Sequence, residues 1–505
     1  MPPAPAMRVR ALNRALNLAP ENPGGAYVLY WMTMQRRPGF NFALEHAAAA
    51  ALRLGRPLVV LEALRLGHAW ASDRLHAFIL QGMAANAAAF AAGPALYHPF
   101  VETTPGAGKG LLAALAKRAC LVVADDWPCF FLPRMLTAAA RQVEAAGAAM
   151  VAVDSCGLMP LAATEREYPS AYVFRRFLQK TLPGHLAAFP AADPLAGLDL
   201  PRLAGLAEAI TRRWPAAPAA ALAAGPEFLA GLAIDHGVPP ASARGGFVAG
   251  GAVLRKFIAE NLPRYLERNH PDAAAASGLG PWLHFGHVSA HEVFAAVVAA
   301  EKWSPARLGV KANGKREGWW GMSPAAEAFL DQLVTWRELG FNCCARRPDY
   351  DQYASLPAWA RATLEAAAGD RRPYTYRLDQ LDRAATHDEL WNAAQRELVA
   401  TGVMHNYLRM LWGKKILEWS PTPQAALAAM IALNNRHALD GRDPNSYSGI
   451  GWVLGRYDRP FARRPVFGQV RCMTSDSARR KLRLKAYLAR WAGGRELAQS
   501  PPRPS

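Results

Sequence analysis

Two observations predict a chain with an α/β domain first and an all-α domain second. Up to about residue 155, short apolar runs typical of strands alternate with longer segments of helical spacing. From 226 to 495, apolar residues recur at helical spacing and strand-like runs are nearly absent. Because strands that alternate with helices build parallel sheets covered on both faces, we expect a Rossmann-like parallel sheet in the first part.

The elements of the first part can be placed in chain order. Apolar, β-prone runs predict strands at 28–31, 58–61, 120–124 and 150–154. Between them, helical spacing predicts helices at 41–54, 72–91 and 135–146. This succession makes 1–155 the predicted α/β domain.

The rest of the chain divides into three predicted parts. The segment 156–225 is rich in Ala and Pro and lacks strand alternation, so we interpret it as a connector with short helices. The all-α domain covers 226–495, with helices expected at 329–339, 387–401 and 407–419. Residues 496–505 are expected to form a flexible tail.

Composition narrows the function classes. Of 505 residues 51% are hydrophobic and 19% charged, which excludes a disordered chain. Lys and Arg (58) outnumber Asp and Glu (40) and give a net charge of +18, which favours a polyanionic partner such as nucleic acid. Charged residues interrupt every long apolar run, and the N-terminus has no apolar export signal, so a cytoplasmic protein without a membrane partner is expected. Six cysteines without a CxxC motif predict reduced thiols.

Three motifs suggest chemistry but are better explained structurally. The segment 106–110 resembles a phosphate-binding loop, yet it lacks the spacing of that loop and predicts a surface turn. His284, His287 and His291 could share a helix face, but no carboxylate or cysteine accompanies them at zinc-site spacing, and no metal site is predicted. The pair Asp125–Asp126 follows a predicted strand and is expected to cap the next helix.

The informative pattern lies near the C-terminus. Trp391, Trp412 and Trp419 precede a polar loop at 440–445, and Arg409 lies on the helix of the last two. A single tryptophan is usually a core residue, and Asp, Gly, Pro and Asn commonly form turns. A spaced series of tryptophans beside an Arg and an acidic loop could instead carry electrons to a buried redox centre held by the loop.

These segments resemble a known family over about 440 residues. The likeness is strongest at 386–419, which holds the string WNAAQ and the string LEW, and it continues through 439–452, 458–473 and 277–290. The opening at 28–44 is also similar. The pattern resembles the photolyase/cryptochrome family, and within it the class II cyclobutane pyrimidine dimer (CPD) photolyases.

The resemblance implies a flavoenzyme that uses blue light. FAD would bind in the helical domain and, when reduced and excited, donate an electron that splits a pyrimidine dimer in UV-damaged DNA. Trp391, Trp412 and Trp419, with Tyr376 beside them, would reduce the flavin. Arg409 paired with Asp440 would lie next to the flavin ring, and Asn434 would face its N5 atom. The resemblance adds four FAD contacts: Tyr265, Ser277, Leu279 and Asn445.

The same resemblance implies a DNA-facing pocket. Trp336 and Trp452 match two aromatic walls that clasp the dimer, with Met410 beneath it. Arg268 and Asn269 would fill the gap left by the extruded bases, and Arg459 and Arg471 would contact DNA nearby. Further positive residues expected around this pocket are Lys311, Lys315 and Arg316.

Departures from the family pattern leave alternatives open. Gln332 stands where a glutamate usually hydrogen-bonds the dimer, so a (6-4) photolyase or another altered lesion preference is a second hypothesis. Gly280 replaces a usual serine at the FAD site. The segment 124–129 departs from the family, so a second, antenna chromophore of deazaflavin or folate type is left open.

A third hypothesis is a cryptochrome-like sensor. A DNA-binding protein without chemistry would leave the tryptophans unexplained. A monomer that needs no protein partner is expected.

Overall fold

The computed structural model describes residues 3–13, 22 and 24–491. Its first part contains a six-stranded sheet with the order β1-β6-β5-β2-β3-β4. The strands are β1 (Val9–Ala11), β2 (Tyr27–Met32), β3 (Leu58–Leu64), β4 (Leu96–Val101), β5 (Ala119–Asp125) and β6 (Ala149–Val153). The four predicted strands correspond to β2, β3, β5 and β6.

The sheet is parallel except at one edge. Strands β2 to β6 pair in parallel, whereas β1 pairs antiparallel with β6 and aligns Val9 with Val153. Sequence analysis missed β1 and β4, which both lie at sheet edges. The first has three residues with a central Arg10, and the second carries His98 and Pro99, so neither forms an apolar run. Proline is tolerated there because an edge strand leaves one row of backbone donors unpaired.

Helices cover both faces of the sheet and fill the following segment. The Asn41 side chain caps α1 by accepting from the backbone N–H groups of Ala43 and Leu44, and Gly55 ends it in the left-handed region. The helices up to residue 230 are α1 (Phe42–Leu54), α2 (Asp73–Ala91), α3 (Leu111–Ala116), α4 (Leu132–Ala145), α5 (Ala171–Thr181), α6 (Glu208–Arg213), α7 (Ala219–Leu222) and α8 (Pro226–Ala230).

The remaining part is helical, as predicted. Its helices are α9 (Phe247–Lys256), α10 (Gly280–His284), α11 (Ala290–Ala300), α12 (Pro324–Leu330), α13 (Arg337–Arg346), α14 (Ala358–Ala366), α15 (Leu378–Asp382), α16 (Glu389–Thr401), α17 (Asn406–Trp419), α18 (Pro423–His437), α19 (Pro444–Val453), α20 (Ser475–Lys481) and α21 (Lys485–Trp491). The domain limits at 155 and 225 stay a prediction, and the expected tail lies outside the described residues.

One predicted helix, 329–339, is interrupted. It consists of the end of α12, a π-helical turn at Asp331–Trp336, and the start of α13. Such turns inside α-helices are frequent at functional sites because they shift the side chains of one turn relative to the next. This turn carries both Gln332 and Trp336.

The two parts of the chain pack against each other through buried polar groups. Glu338 on α13 accepts hydrogen bonds from the backbone N–H groups of Leu158 (2.7 Å) and Met159 (3.1 Å), just after the sheet. Burial raises the pKa of Glu338 to about 7, because a charged carboxylate is costly in an apolar interior. The buried Arg8 donates to the carbonyl of Leu158 from the other side.

Asp125 does not cap the next helix, so that expectation was wrong. Its Oδ2 accepts hydrogen bonds from the backbone N–H groups of Thr33 (2.8 Å), Met34 (2.8 Å) and Gln35 (2.9 Å). The loop after β2 thus takes up the carboxylate, because parallel strands bring their carboxyl ends to one edge. Helix α4 begins after Phe131 without a side-chain cap.

The expected surface turn is confirmed. The segment 106–110 is a turn before α3. His284, His287 and His291 are buried, and burial lowers the pKa of each, as expected for packed neutral histidines. They do not share one helix face, since His284 ends α10 and His291 lies in α11. Within the described residues, no disulfide joins any of the cysteines, no group of side chains has metal-site geometry, and no helix is long and apolar enough to cross a membrane.

Candidate functional site

The tryptophans of the C-terminal pattern form a connected group. Trp391 on α16 is fully buried and contacts Trp419 on α17 edge to face, with ring centroids 5.4 Å apart. The Trp391 indole Nε1 donates to the Trp412 carbonyl (3.0 Å), and the Trp412 Nε1 donates to Gln395 Oε1 (2.8 Å). Two packed helices therefore hold three buried indoles in fixed relative positions.

This group reaches the surface through Tyr376. The Tyr376 ring lies 5.2 Å from Trp419, and its hydroxyl lies 2.6 Å from Nδ1 of His387. His387 in turn stacks on Tyr374, which is 51% exposed. A continuous series of aromatic contacts thus joins a fully buried indole to an exposed phenol. We call Trp391, Trp419, Tyr376 and Tyr374 the open path.

Arg409 and Asp440 form the expected ion pair. Arg409 lies in the first turns of α17, and its NH2 atom is 3.0 Å from Asp440 Oδ1. The two side chains keep 24% and 21% of their surface exposed, so the pair faces a partly open space. A Cβ atom at Gly280 would lie 2.8 Å from Asp440 Oδ2, so this glycine lets the carboxylate lie against the backbone at the start of α10.

Asn434 is buried near the middle of the same region. Its Nδ2 donates to Ser446 Oγ on α19 (3.1 Å) and lies 3.4 Å from Asn435 Oδ1. Asn435 Oδ1 also accepts from the backbone N–H of Arg442, in the polar loop before α19. These bonds fix the orientation of the Asn434 amide.

The four further expected FAD contacts lie in different surroundings. Tyr265 is buried against Phe329, and burial raises its pKa to about 12. Leu279 is fully buried beside Gly280, and its backbone N–H donates to Ser277 Oγ (3.4 Å). Asn445 is exposed in the first turn of α19. Their role as cofactor contacts stays a prediction.

The two expected aromatic walls stack on each other. The Trp336 and Trp452 rings are 4.3 Å apart and nearly parallel, at 16°. The Trp452 Nε1 donates to Asp458 Oδ1 (2.9 Å), which fixes that ring. Because no third ring fits between rings at this distance, a base can stack on the outer face of the pair, or between the rings once Trp336 moves. Gln332 is half-buried on the same π-helical turn as Trp336.

The expected DNA contacts lie at or near the surface. Arg459, Arg471 and Asn269 are exposed, and Arg268 lies over the Tyr265 ring at 4.8 Å. Met410 is half-buried and packs on the same core as the tryptophans. Lys311, Lys315 and Arg316 are also exposed.

One buried cation was missed by sequence reasoning. Lys414 lies on α17 two residues after Trp412, is fully buried, and donates from Nζ to the Val453 carbonyl (2.5 Å) at the end of α19. Burial lowers its pKa to about 7. A lysine in a helix is normally solvated, so no signal in the sequence separates Lys414 from its exposed counterparts.

A cavity lies between the sheet and the helical part. Its empty volume is about 800 Å³, including solvent at its mouth. It lies at the carboxyl ends of β2 and β3, where ligands of α/β sheets usually bind. Its walls are mostly aromatic and apolar, with His68 stacked on Phe131 at 5.6 Å, and burial lowers the pKa of His68 to about 4. Other lining residues include Trp31, Trp127, Phe130, Phe285 and the cations Arg36, Arg65 and Arg442.

Comparison with known structures establishes the fold. The chain superposes with a TM-score of 0.65 on a bacterial class III photolyase from Agrobacterium tumefaciens, at 16% identity over 92% of this chain and 86% of the other. A cryptochrome from Synechocystis superposes with the same TM-score and identity, over 92% of this chain and 88% of the other. The architecture of an α/β domain followed by a helical domain is therefore that of photolyases and cryptochromes.

Sequence comparison establishes the family. No family model matches the chain. A deoxyribodipyrimidine photo-lyase from rice (Oryza sativa subsp. japonica) is 35% identical over 482 residues, which cover 92% of this chain and 87% of the relative. One from Methanothermobacter thermautotrophicus is 31% identical over 507 residues, or 95% and 98% of the two chains. One from Potorous tridactylus is 32% identical over 485 residues, or 94% and 82%. The chain therefore belongs to the deoxyribodipyrimidine photo-lyase family.

Proposed function

We propose that this enzyme repairs cyclobutane pyrimidine dimers in DNA under blue light. The observation that carries the proposal is the open path, which links a buried indole to the surface and includes Trp419, on the same helix as Arg409 of the Arg409–Asp440 pair. A protein that only packs its tryptophans has no need of an oxidisable route to solvent. Relatives that share most of the chain are named for action on deoxyribodipyrimidines. The class II assignment stays a prediction.

The helical part has the groups that a flavin requires. Arg409 and Asp440 are partly open to a common space, so they can hydrogen-bond the polar edge of the ring. Asn434 offers a buried, oriented amide, and Gly280 and Gly340 keep backbone free of side chains where α10 and α13 approach Asp440 and α19. A Cβ at Gly340 would lie 3.0 Å from Asn445 Cα. Arg409, Asp440 and Asn434 would hold a reduced FAD there, and the chemistry it would supply under blue light is the electron that opens the cyclobutane ring.

Each group of side chains then has one task in the proposed repair. The open path delivers electrons inward to keep the cofactor reduced. Trp336 and Trp452 offer flat faces on which extruded bases stack, and stacking holds a base regardless of its sequence. Damaged bases are easier to extrude than paired ones, which favours lesions before any chemistry. Gln332, one helical turn before Trp336, can donate to and accept from the base edges.

The test is repair of defined lesions by the purified, FAD-loaded protein. A duplex with one cyclobutane dimer is illuminated with blue light, and restoration is followed by recovery of the ultraviolet absorbance of the two pyrimidine rings and by cleavage at a restored restriction site. We expect light-dependent restoration with an unchanged dark control. Absence of restoration in protein whose spectrum shows reduced FAD would refute the proposal.

One observation keeps a second lesion in view. Gln332 carries no negative charge where relatives are expected to have a glutamate, so the preference for the dimer is less constrained. A parallel assay on a duplex with one (6-4) photoproduct separates the two activities. Repair of the second lesion alone would replace the first proposal, and Gln332→Glu would then be expected to lower that activity.

We also propose that the cavity beside β2 and β3 holds a second chromophore. Its aromatic walls and about 800 Å³ of empty volume suit a flat ring system, and Arg65 and Arg442 can neutralise an acidic substituent of a deazaflavin or folate, whereas Arg36 is paired with the buried Glu62 at 2.8 Å. The absorption spectrum of protein expressed with each chromophore tests this. An absorption band that Phe131→Ala removes while FAD is retained supports it. Cytoplasmic location and a monomeric state stay predictions.

A further inference from the structure

The C-terminal end of the described chain carries a dense group of cations. The segment from 477 to 485 reads SARRKLRLK, with no acidic residue among its nine positions. The five cations are exposed: three lie in the last turn of α20, one in the short connection after it, and one at the start of α21. We call Arg479, Arg480, Lys481, Arg483 and Lys485 the basic patch.

Only part of the basic patch is neutralised by the protein itself. Arg479 pairs with Glu389 at 3.1 Å and Arg483 pairs with Glu267 at 2.6 Å. Arg480, Lys481 and Lys485 have no ion-pair partner within the part of the chain that the structure describes. Three cations without an ion-pair partner among the described residues therefore face solvent.

Buried side chains and hydrogen bonds hold the segment that carries the basic patch in place. Leu484, Tyr487 and Trp491 are buried, and the Tyr487 hydroxyl donates to Glu397 on α16 at 2.8 Å. Asp272 accepts from the backbone N–H groups of Ala486 (3.1 Å) and Tyr487 (2.8 Å), which caps α21. The cations are thus carried by a fixed surface.

Its position relative to the expected lesion pocket is defined at both ends. At one end, Glu267, the partner of Arg483, directly precedes Arg268 and Asn269 in the chain, and the backbone N–H of Arg483 donates to His270 Nδ1 at 3.3 Å. At the other end, α20 begins four residues after Arg471. The patch therefore continues the surface on which these expected DNA contacts lie.

Helix stability accounts for only part of this pattern. Cations in the last turn of a helix interact favourably with its dipole, which suffices for Arg480 and Lys481. Lys485 lies at the first position of α21, where the dipole disfavours a cation. The Asp272 carboxylate caps this N-terminus but forms no ion pair with Lys485 within the described residues, so an external anion is the better explanation for the group as a whole.

We propose that Arg480, Lys481 and Lys485 bind backbone phosphates of the duplex that flanks the lesion. The inference rests on the proposed function only in taking DNA as the partner, and it extends the expected footprint beyond Arg268, Asn269, Arg459 and Arg471. Lys and Arg neutralise phosphates without reading bases, as an enzyme that meets lesions in any sequence requires. The patch adds affinity and orientation and takes no part in the light reaction.

The test is the salt dependence of binding to an undamaged, fluorescently labelled duplex. Full-length protein carrying Arg480→Gln, Lys481→Gln and Lys485→Gln is compared with wild type between about 50 and 200 mM salt. The matched control carries Lys109→Gln, Lys117→Gln and Arg212→Gln, three exposed cations of the first part of the chain. Both triple variants change the net charge equally, and circular dichroism verifies that both fold.

If all three side chains contact phosphates, the slope of log K against log salt becomes shallower by about 2 to 3 in the patch variant. The control variant is expected to change the slope by less than half of that. A patch variant whose slope changes no more than the control overturns the inference. The assay needs no lesion and no light, so failure of dimer repair would refute the proposed function and leave this result standing.

Discussion

The helical part contains two groups of tryptophans that look alike in the sequence and differ in their surroundings. Trp303, Trp319 and Trp320 pack with Phe294, at centroid distances of 4.8 to 6.0 Å, and all four are buried. We call them the closed cluster. The open path has similar spacings, 5.4 and 5.2 Å, but it ends at the exposed Tyr374 through Tyr376 and His387.

The two groups differ in where they end and not in the distances between their rings. Ring distances alone do not distinguish the two groups, and each contains an indole N–H bonded to a backbone carbonyl. What differs is the end of the series: the rings of the closed cluster are all buried and belong to one apolar core, whereas the open path leads to a phenol that is 51% exposed. The comparison predicts electron delivery by the open path and packing by the closed cluster.

The first prediction breaks the open path at its buried end. Trp391→Phe replaces a readily oxidised indole with a benzene ring of similar shape, which raises the barrier by more than about 1.4 kcal/mol and slows flavin photoreduction about tenfold or more. The measurement is the rate at which the oxidised flavin band disappears under blue light with an external reductant. The matched control is Trp320→Phe in the closed cluster, which should keep the wild-type rate. Equal slowing in both variants would erase the distinction.

The second prediction concerns the stacked pair Trp336 and Trp452, which belongs neither to the closed cluster nor to the open path. Trp336→Ala removes one stacking face at the lesion pocket, and stacking on an aromatic side chain contributes about 1 to 3 kcal/mol per base. Affinity for dimer-containing DNA should fall about 5- to 150-fold while photoreduction stays unchanged. Titration with damaged and undamaged duplexes measures the loss. An unchanged preference for the damaged duplex would remove Trp336 from the pocket.

Much of the fold could be predicted because its signals are local. The runs at β2, β3, β5 and β6 are apolar since both faces of a central parallel strand are buried. Edge strands β1 and β4 were not predicted. An edge strand tolerates residues such as Arg10 and Pro99, so these segments contain no continuous apolar run. The role of Asp125 could not be predicted from the sequence either, because its hydrogen-bond partners are backbone N–H groups in the loop after β2.

The sequence predicts which residues of the candidate site come together, but not the distances and angles between them. The Arg409–Asp440 pair and the contacts of Trp391 with Trp419 follow the expected grouping. The mutual stacking of Trp336 and Trp452 joins residues 116 positions apart, and nothing local in the sequence sets their distance. The same limit applies to His387, whose contact with Tyr376 becomes visible only in three dimensions.

A third prediction concerns the buried amine of Lys414, which lies on the same helix as Trp419 of the open path. The pKa of Lys414 is about 7 in the folded protein, below its ordinary value of 10.5, because of burial. Between those two values the unfolded chain binds a proton that the folded chain does not, so stability rises with pH. The slope of this contribution is at most about 1.4 kcal/mol per pH unit. Urea unfolding at pH 7 and 8.5 should show the rise in wild type and a weaker rise in Lys414→Met. Identical pH dependence would mean that Lys414 is charged when folded.

The smallest expected effect tests the closed cluster from its own side. Trp303 donates its indole N–H to the Trp320 carbonyl at 2.6 Å, so Trp303→Phe loses this hydrogen bond and leaves a buried carbonyl without that donor. The free energy of unfolding should fall by about 1 kcal/mol, as for a typical lost hydrogen bond. The photoreduction rate should remain that of wild type, because no described contact joins this cluster to Tyr376 or Trp391. A stability loss with unchanged photoreduction is the signature of packing. Slower photoreduction in this variant would show that electrons also travel through the closed cluster, and exposure at one end would then not be the feature that separates the two groups.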